Sequence, residues 1–139
     1  KEKVTKEDLP YIISDVLDAG KYIHRVKIDA YVLTHAKGLQ PSATVSLTIG
    51  TVSHEQHANG DGQFDAFMNA LKRIYKNEKE QLAVLTDYAV RIPPGSTSDA
   101  LCETIITWEH NGKEFITRGL DSDQTVSAIK ATEKMLNII

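Results

Sequence analysis

The hydrophobic positions along the chain change period several times, and each change marks an element. Between Val4 and Ala19, Leu9, Ile12, Ile13, Val16 and Leu17 recur at helical spacing, which predicts an amphipathic helix. Thr5 followed by Asp8 resembles a capping box with Asp in place of Glu. Pro10 falls in the first turns, where its missing N–H costs little, and Gly20 supplies a stop. The stripe needs a partner, so the segment reads as a connecting helix that packs on something else. From Lys27 to His35 the residues are β-branched and aromatic, which predicts a strand. Lys37-Gly38 to Pro41 gives turn chemistry. Ala43, Val45, Leu47 and Ile49 then alternate with Thr44, Ser46 and Thr48, the pattern of a half-buried strand. Val52 to Ala58 is a weaker, polar strand, and Asn59-Gly60-Asp61-Gly62 breaks it. Gln63 to Lys76 is helical, with Phe64, Phe67, Met68, Leu71, Ile74 and Tyr75 on one side.

The same order then returns. Leu82 to Ile92 predicts a strand closed by Pro93-Pro94-Gly95. Cys102, Thr104, Ile106 and Trp108 alternate along the next, Asn111-Gly112 is a hairpin turn, and Lys113 to Arg118 is a third strand, broken at Gly119. Ser122 to Leu136 is a second helix carrying Val126, Ile129, Met135 and Leu136. Asp29-Ala30-Tyr31-Val32 aligns with Asp87-Tyr88-Ala89-Val90. Ala43, Val45, Leu47 and Ile49 align with Cys102, Thr104, Ile106 and Trp108, and Ala70-Leu71-Lys72 with Ala131-Thr132-Glu133. The fold class is therefore α+β: two βββα repeats packed in layers and preceded by a linker helix. Residues 1–25 form the linker segment and 26–139 one domain, its units spanning about 26–78 and 81–139.

Composition narrows the function. A chain of 139 residues suits one domain with a real core. The net charge of −3 argues against a nucleic-acid surface, which needs clustered Lys and Arg. Lys72, Arg73 and Lys76 read as the wet face of a helix. The single cysteine, Cys102, allows no internal disulfide, which fits a reducing, cytoplasmic compartment. It lies in an apolar run and reads as a buried structural thiol, since nothing local would make it a thiolate. No stretch reaches the ~18 apolar residues of a membrane span, and no signal peptide opens the chain. A start at Lys1 suggests a fragment.

Two segments could carry chemistry. Gly60-Asp61-Gly62-Gln63-Phe64-Asp65-Ala66 runs from a strand into a helix. Its glycines let a ligand approach the backbone, and the first helical N–H groups attract a carboxylate. Asp61 and Asp65 add negative charge, so the pair of features suits a zwitterion. On the residues alone, the plainer reading is stronger: Asp61 caps the helix and the glycines only make the turn. There is no Walker lysine after it. Gly119-Leu120-Asp121-Ser122-Asp123-Gln124 is the counterpart in the second unit, where capping alone would explain the residues. His54 and His57, three apart in a strand, fall on opposite faces, and neither zinc ligation nor a nucleophile–base set is legible.

Together with Leu85-Thr86-Asp87-Tyr88 and Ala128 to Asn137, these two segments resemble the regulatory domain of α-isopropylmalate synthase and of its relative citramalate synthase, from about Ile28 to the end. The resemblance implies that the parent enzyme condenses acetyl-CoA with an α-keto acid on a TIM barrel of the same polypeptide. The divalent metal would belong to that barrel. This chain itself would have no cofactor and no catalytic residue. It would bind leucine, or isoleucine in the citramalate branch, between its two units, and help build a homodimer. Carried over residue by residue, the effector contacts would be Gly60, Asp61, Gly62, Phe64, Asp65 and Ala66. Leu85, Tyr88 and Ile92 would form an apolar side, and Gly119, Asp121, Asp123 and Gln124 would close the other. Many members have Gly-Pro-Val where this chain has Gly62-Gln63-Phe64, a change that should reshape the pocket. A dimerisation scaffold without ligand and a small independent enzyme are the competing readings.

Overall fold

A computed structural model describes residues 25–93 and 101–139. The expected linker helix at Val4–Ala19 and the Pro94-Gly95 part of the predicted turn lie outside them. The elements are β1 (Val26–Thr34), β2 (Ser42–Ile49), β3 (Val52–Asn59), α1 (Gln63–Asn77), β4 (Val84–Arg91), β5 (Cys102–His110), β6 (Lys113–Asp121) and α2 (Gln124–Ile138). They form two compact units, the first spanning Arg25–Leu82 and the second carrying Ala83–Ile139. Each unit is an antiparallel three-stranded sheet, ordered β1-β2-β3 or β4-β5-β6, followed by one helix. The βββα repeat is thus the fold.

Local chemistry explains the elements. Alternation along β2 buries Ala43, Val45 and Leu47 while its Ser and Thr residues face outward, half-buried. The polar β3 persists as a strand because it pairs with β2 along its whole length, from Ile49↔Val52 to Ser42↔Asn59. His54 lies on the face of Leu47 and His57 on the opposite face, where its Nδ1 meets Thr44 Oγ1 at 2.8 Å. The β5–β6 turn places Asn111 at φ 55° and Gly112 at φ 80°, the left-handed pair of a type I′ hairpin.

Strand pairing corrects the register of the repeat. The hairpin ends Ile49↔Val52 and His110↔Lys113 are equivalent, so Ala43, Val45 and Leu47 correspond to Thr104, Ile106 and Trp108, two positions on from the expected alignment. The same shift carries the buried helix residues Ala66, Phe67, Met68, Ala70, Leu71, Ile74 and Tyr75 onto Ser127, Ala128, Ile129, Ala131, Thr132, Met135 and Leu136, which are the buried residues of α2. In the first strands the pairing slips between Ile28 and Ala30 and between Leu85 and Asp87. Matching these bulges places Tyr31 opposite Val45 and Tyr88 opposite Ile106, one position from the expected alignment. A bulge adds a residue and so lets side chains three apart share a face.

A second correction concerns Gly119. It does not end β6, which runs on to Asp121. A Cβ there would lie 2.7 Å from the Ala131 nitrogen and 2.9 Å from the Ser127 carbonyl carbon. Glycine is needed because α2 presses on the strand, and not because the strand stops.

The cores differ in chemistry at matched positions. In the first unit they are apolar, built on Leu47, Phe67, Leu71, Ile74 and Tyr75. In the second, Trp108 Nε1 donates to Thr117 Oγ1 at 2.9 Å, and Thr117 Oγ1 donates to the Ala131 carbonyl at 2.8 Å. Thr104 and Ser127 share a buried hydroxyl pair, and Thr132 donates to the Ala128 carbonyl. Buried polar groups are tolerated when paired in this way.

Trp108 has no exposed surface. We expect Trp108→Ala to lower unfolding free energy by about 3–5 kcal/mol, read from urea denaturation; a loss below about 1 kcal/mol would contradict the burial. Thr117→Val should cost about 1–3 kcal/mol, because the indole N–H would be left without an acceptor.

Candidate functional site

The first candidate segment is built by the passage from β3 to α1. Gly60 is buried, and its N–H donates to the Pro41 carbonyl at 3.0 Å. A Cβ on it would lie 2.7 Å from Asp65 Oδ2 and 2.8 Å from Ala66 Cα. Gly60 is therefore required by the close approach of the helix to the end of the strand. Asn69 Nδ2 fixes the same corner by donating to the Asn59 carbonyl at 2.9 Å.

Gly62 is the N-cap of α1, with φ −143° and ψ 178°, and no side chain caps the helix. The expectation that Asp61 caps it is therefore corrected. Asp61 stands one residue too early, and it is its backbone N–H that is engaged, donating to Asp65 Oδ2 at 2.8 Å. Asp65 thus reaches back from the first turn to the residue before the N-cap, one position further than the acidic member of a capping box does. Gly62 also differs from Gly60 in its surroundings, because a Cβ there would meet nothing within 4 Å. The helix start combines open space, backbone donors without a side-chain cap, and an exposed carboxylate. Phe64 is half-buried and stacks on Phe67 at 6.0 Å between ring centroids; Tyr31 meets Phe67 edge-on at 6.1 Å. Ala66 is fully buried under the helix.

The second candidate segment is committed to its own fold. Asp123 is the N-cap of α2 and accepts from the N–H groups of Thr125 at 2.8 Å and Val126 at 3.0 Å. Asp121 accepts from the Asp123 N–H at 2.8 Å and meets Lys130 Nζ at 3.1 Å. The backbone N–H of Asp123 and then the Lys130 ammonium hold the Asp121 carboxyl below the usual carboxylate range. Gln124 is exposed, and its carbonyl accepts from Ser127 Oγ.

On β4 the bulge puts Leu85 opposite Trp108 and Tyr88 opposite Ile106, so both point to the helix side of the sheet, half-buried. α2 lies over β6 and β5. Ile92, just past the strand, is 57% exposed. The structure thus groups Gly60, Asp61, Gly62, Phe64, Asp65 and Ala66 at one helix start, Asp121, Asp123 and Gln124 at the other, and Leu85 with Tyr88 on a sheet face.

Sequence reasoning missed three features. Tyr31 joins the aromatic group because of the bulge, which no alternation count reveals. Glu103 is 9% exposed although it belongs to the face away from α2, held between Arg91 Nε at 2.6 Å and Arg118 Nη1 at 3.3 Å; its partners come from neighbouring strands. His54 Nδ1 lies 3.5 Å from Glu78 Oε2, a pairing across the unit.

Residues 3–139 match the model of the LeuA allosteric (dimerisation) domain. Among curated proteins, the chain is 29% identical over 96% of its length to a provisionally named (R)-citramalate synthase CimA of Methanosarcina mazei, covering 27% of that protein. It is 29% identical over its full length to the 2-isopropylmalate synthase of Heliobacterium modesticaldum, covering 26%. It is 30% identical over 99% of its length to that of Methanocaldococcus jannaschii, again covering 26%. The chain spans about a quarter of the length of these relatives.

The two glycines should respond differently to a methyl group. Gly60→Ala forces a shift of backbone and should cost about 1–3 kcal/mol, whereas Gly62→Ala should cost about 1 kcal/mol or less. Chemical denaturation measures both, and equal costs would refute the distinction. A depressed carboxyl stabilises the folded state above its ordinary pKa, and that stability is lost as pH falls through the depressed value. Asp121→Asn should therefore flatten the acid limb of stability against pH, and an unchanged limb would show that Asp121 contributes nothing to it.

Proposed function

Because the chain belongs to the LeuA allosteric (dimerisation) domain family, we propose that it senses leucine as the feedback-regulatory module of a 2-isopropylmalate synthase. One observation carries the placing of the effector. Of the two helices among the described residues, α2 is capped by its own Asp123, whereas α1 begins at Gly62 with no side-chain cap and open space beside it. An α-amino acid matches that start. Its carboxylate completes the cap by accepting from the first backbone N–H groups of α1, where the helix dipole is also favourable. Its ammonium meets Asp65, which uses Oδ2 on the Asp61 N–H and offers Oδ1. Phe64, held by its stack on Phe67, borders the aliphatic side chain.

In the proposed enzyme a catalytic TIM barrel of the same polypeptide carries the divalent metal and condenses acetyl-CoA with an α-keto acid in the cytoplasm. The regulatory module contributes to a homodimer. Inhibition is then a coupling free energy between effector site and barrel, typically about 1–3 kcal/mol, and it requires leucine to favour one arrangement over another. The second reading, isoleucine sensing in a citramalate synthase, is supported by the similarity to the Methanosarcina mazei protein, which is as high as that to the Heliobacterium modesticaldum synthase.

Isothermal titration with leucine, isoleucine and valine separates these readings. Saturable binding of leucine supports the main one, a preference for isoleucine supports the second, and silence toward all three leaves a dimerisation scaffold. Asp65→Ala should weaken binding about 10-fold or more, the loss of one charge-assisted contact, with a smaller effect on stability. Gly62→Val should block binding by filling the open space. Normal binding by both variants would place the site elsewhere.

A further inference from the structure

The chain contains two Asn-Gly pairs, Asn59-Gly60 and Asn111-Gly112, and the fold treats them in opposite ways. Asn-Gly is the dipeptide most open to intramolecular cyclisation, because glycine places no side chain against the attacking nitrogen. In the first pair that nitrogen is occupied. The Gly60 N–H donates to the Pro41 carbonyl at 3.0 Å, and Gly60 is buried against the first turn of α1. The preceding carbonyl, that of Asn59, is held by Asn69 Nδ2 at 2.9 Å. Cyclisation there would have to break the corner that joins β3 to α1. In the second pair both residues are exposed, and a Cβ on Gly112 would meet nothing within 4 Å. They are the two central residues of the hairpin between His110 and Lys113, where the amides take no part in the ladder.

We propose that Asn111 is a site of spontaneous modification in the folded protein, the deamidation of asparagine to isoaspartate and aspartate, and that Asn59 is protected from it. The Gly112 nitrogen attacks the Asn111 side-chain carbonyl carbon. A bond forms between them, the bond from that carbon to Nδ2 breaks, and ammonia leaves with the proton from the Gly112 amide. Water then opens the resulting succinimide at either carbonyl. The step is redox-neutral and water is its only co-reactant. The isoaspartyl product has an extra carbon in the main chain of a two-residue turn. It also adds a carboxylate beside Glu109 and Glu114, which already face each other across the ladder, where like charges are unfavourable. The modification therefore loosens the β5–β6 hairpin. It also makes the protein a substrate for an isoaspartyl carboxyl methyltransferase.

The test is incubation of the folded protein at mildly alkaline pH, with peptide mass analysis over time and methyl labelling by an isoaspartyl methyltransferase. The expected result is a several-fold faster conversion at Asn111 than at Asn59, with the label on the Asn111 peptide and lost in Asn111→Gln. In denaturant the two sites should convert at similar rates, because only the fold distinguishes them. Conversion at Asn59 as fast as at Asn111 in the folded protein would overturn the proposal. So would stability of Asn111 under conditions that convert the unfolded chain.

Discussion

Each unit depends on how closely its helix can lie on the last strand of its sheet. Side chains normally hold a helix away from a sheet, and here the side chain is reduced to almost nothing at one position of the seam. In the second unit Gly119 on β6 faces the Ser127 and Ala131 backbone. In the first, the matched residues are Ala58 on β3 and Ala66 and Ala70 on α1, all buried. This contact fixes the height and direction of the helix, and hence where its first N–H groups emerge. Gly60 extends the same constraint past the strand end, where a side chain would meet Ala66. The candidate site is therefore set by packing a few residues away from it.

Upon this shared frame the two units have diverged. Positions that are Leu47, Ala43, Ala66 and Leu71 in the first are Trp108, Thr104, Ser127 and Thr132 in the second. The substitutions are coupled: a threonine inside a core is costly unless its hydroxyl is paired, and each of these hydroxyls has a partner. Tyr75 shows the opposite balance, since its hydroxyl is buried without a partner and burial pushes its pKa up to about 12. The helix starts diverge likewise. One carries its own carboxylate cap; the other leaves that place open and puts its carboxylate in the first turn.

Much of this was legible in the residues. Alternation along Ala43 to Ile49, helical spacing from Phe64 to Tyr75 and the Asn111-Gly112 turn are local signals, and the structure follows them. The repeat was visible for the same reason. Its register was visible in the helices, where Ala70 and Leu71 align with Ala131 and Thr132, and not in the strands, because hairpin pairing and bulges decide strand register, and both belong to two strands at once. Gly119 misled because glycine has two uses, ending a strand or admitting a neighbour, and only the neighbour tells them apart. Asp61 misled because an N-cap is defined by the residue where the chain turns into the helix. One position of error moves the side chain off the N–H groups it would serve. The candidate site was thus readable as a segment and not as an arrangement.

That one-residue displacement bears on regulation. Had Asp61 capped α1, the helix start would be satisfied at all times, and an added carboxylate would have to displace it. With Gly62 at the cap, no side chain closes the helix start, and a bound anion can add to it without displacing one. Under the proposed reading, the effector supplies an interaction that the second unit builds into its own chain. A ligand that binds only the ordered helix start stabilises it by an amount that grows with effector concentration. Free effector at about 100 times its dissociation constant would add about 2.7 kcal/mol. That is comparable with the coupling that feedback inhibition requires. Under the proposed reading, a helix turn that is well packed on one side and without a side-chain cap at its end is where the amino acid acts.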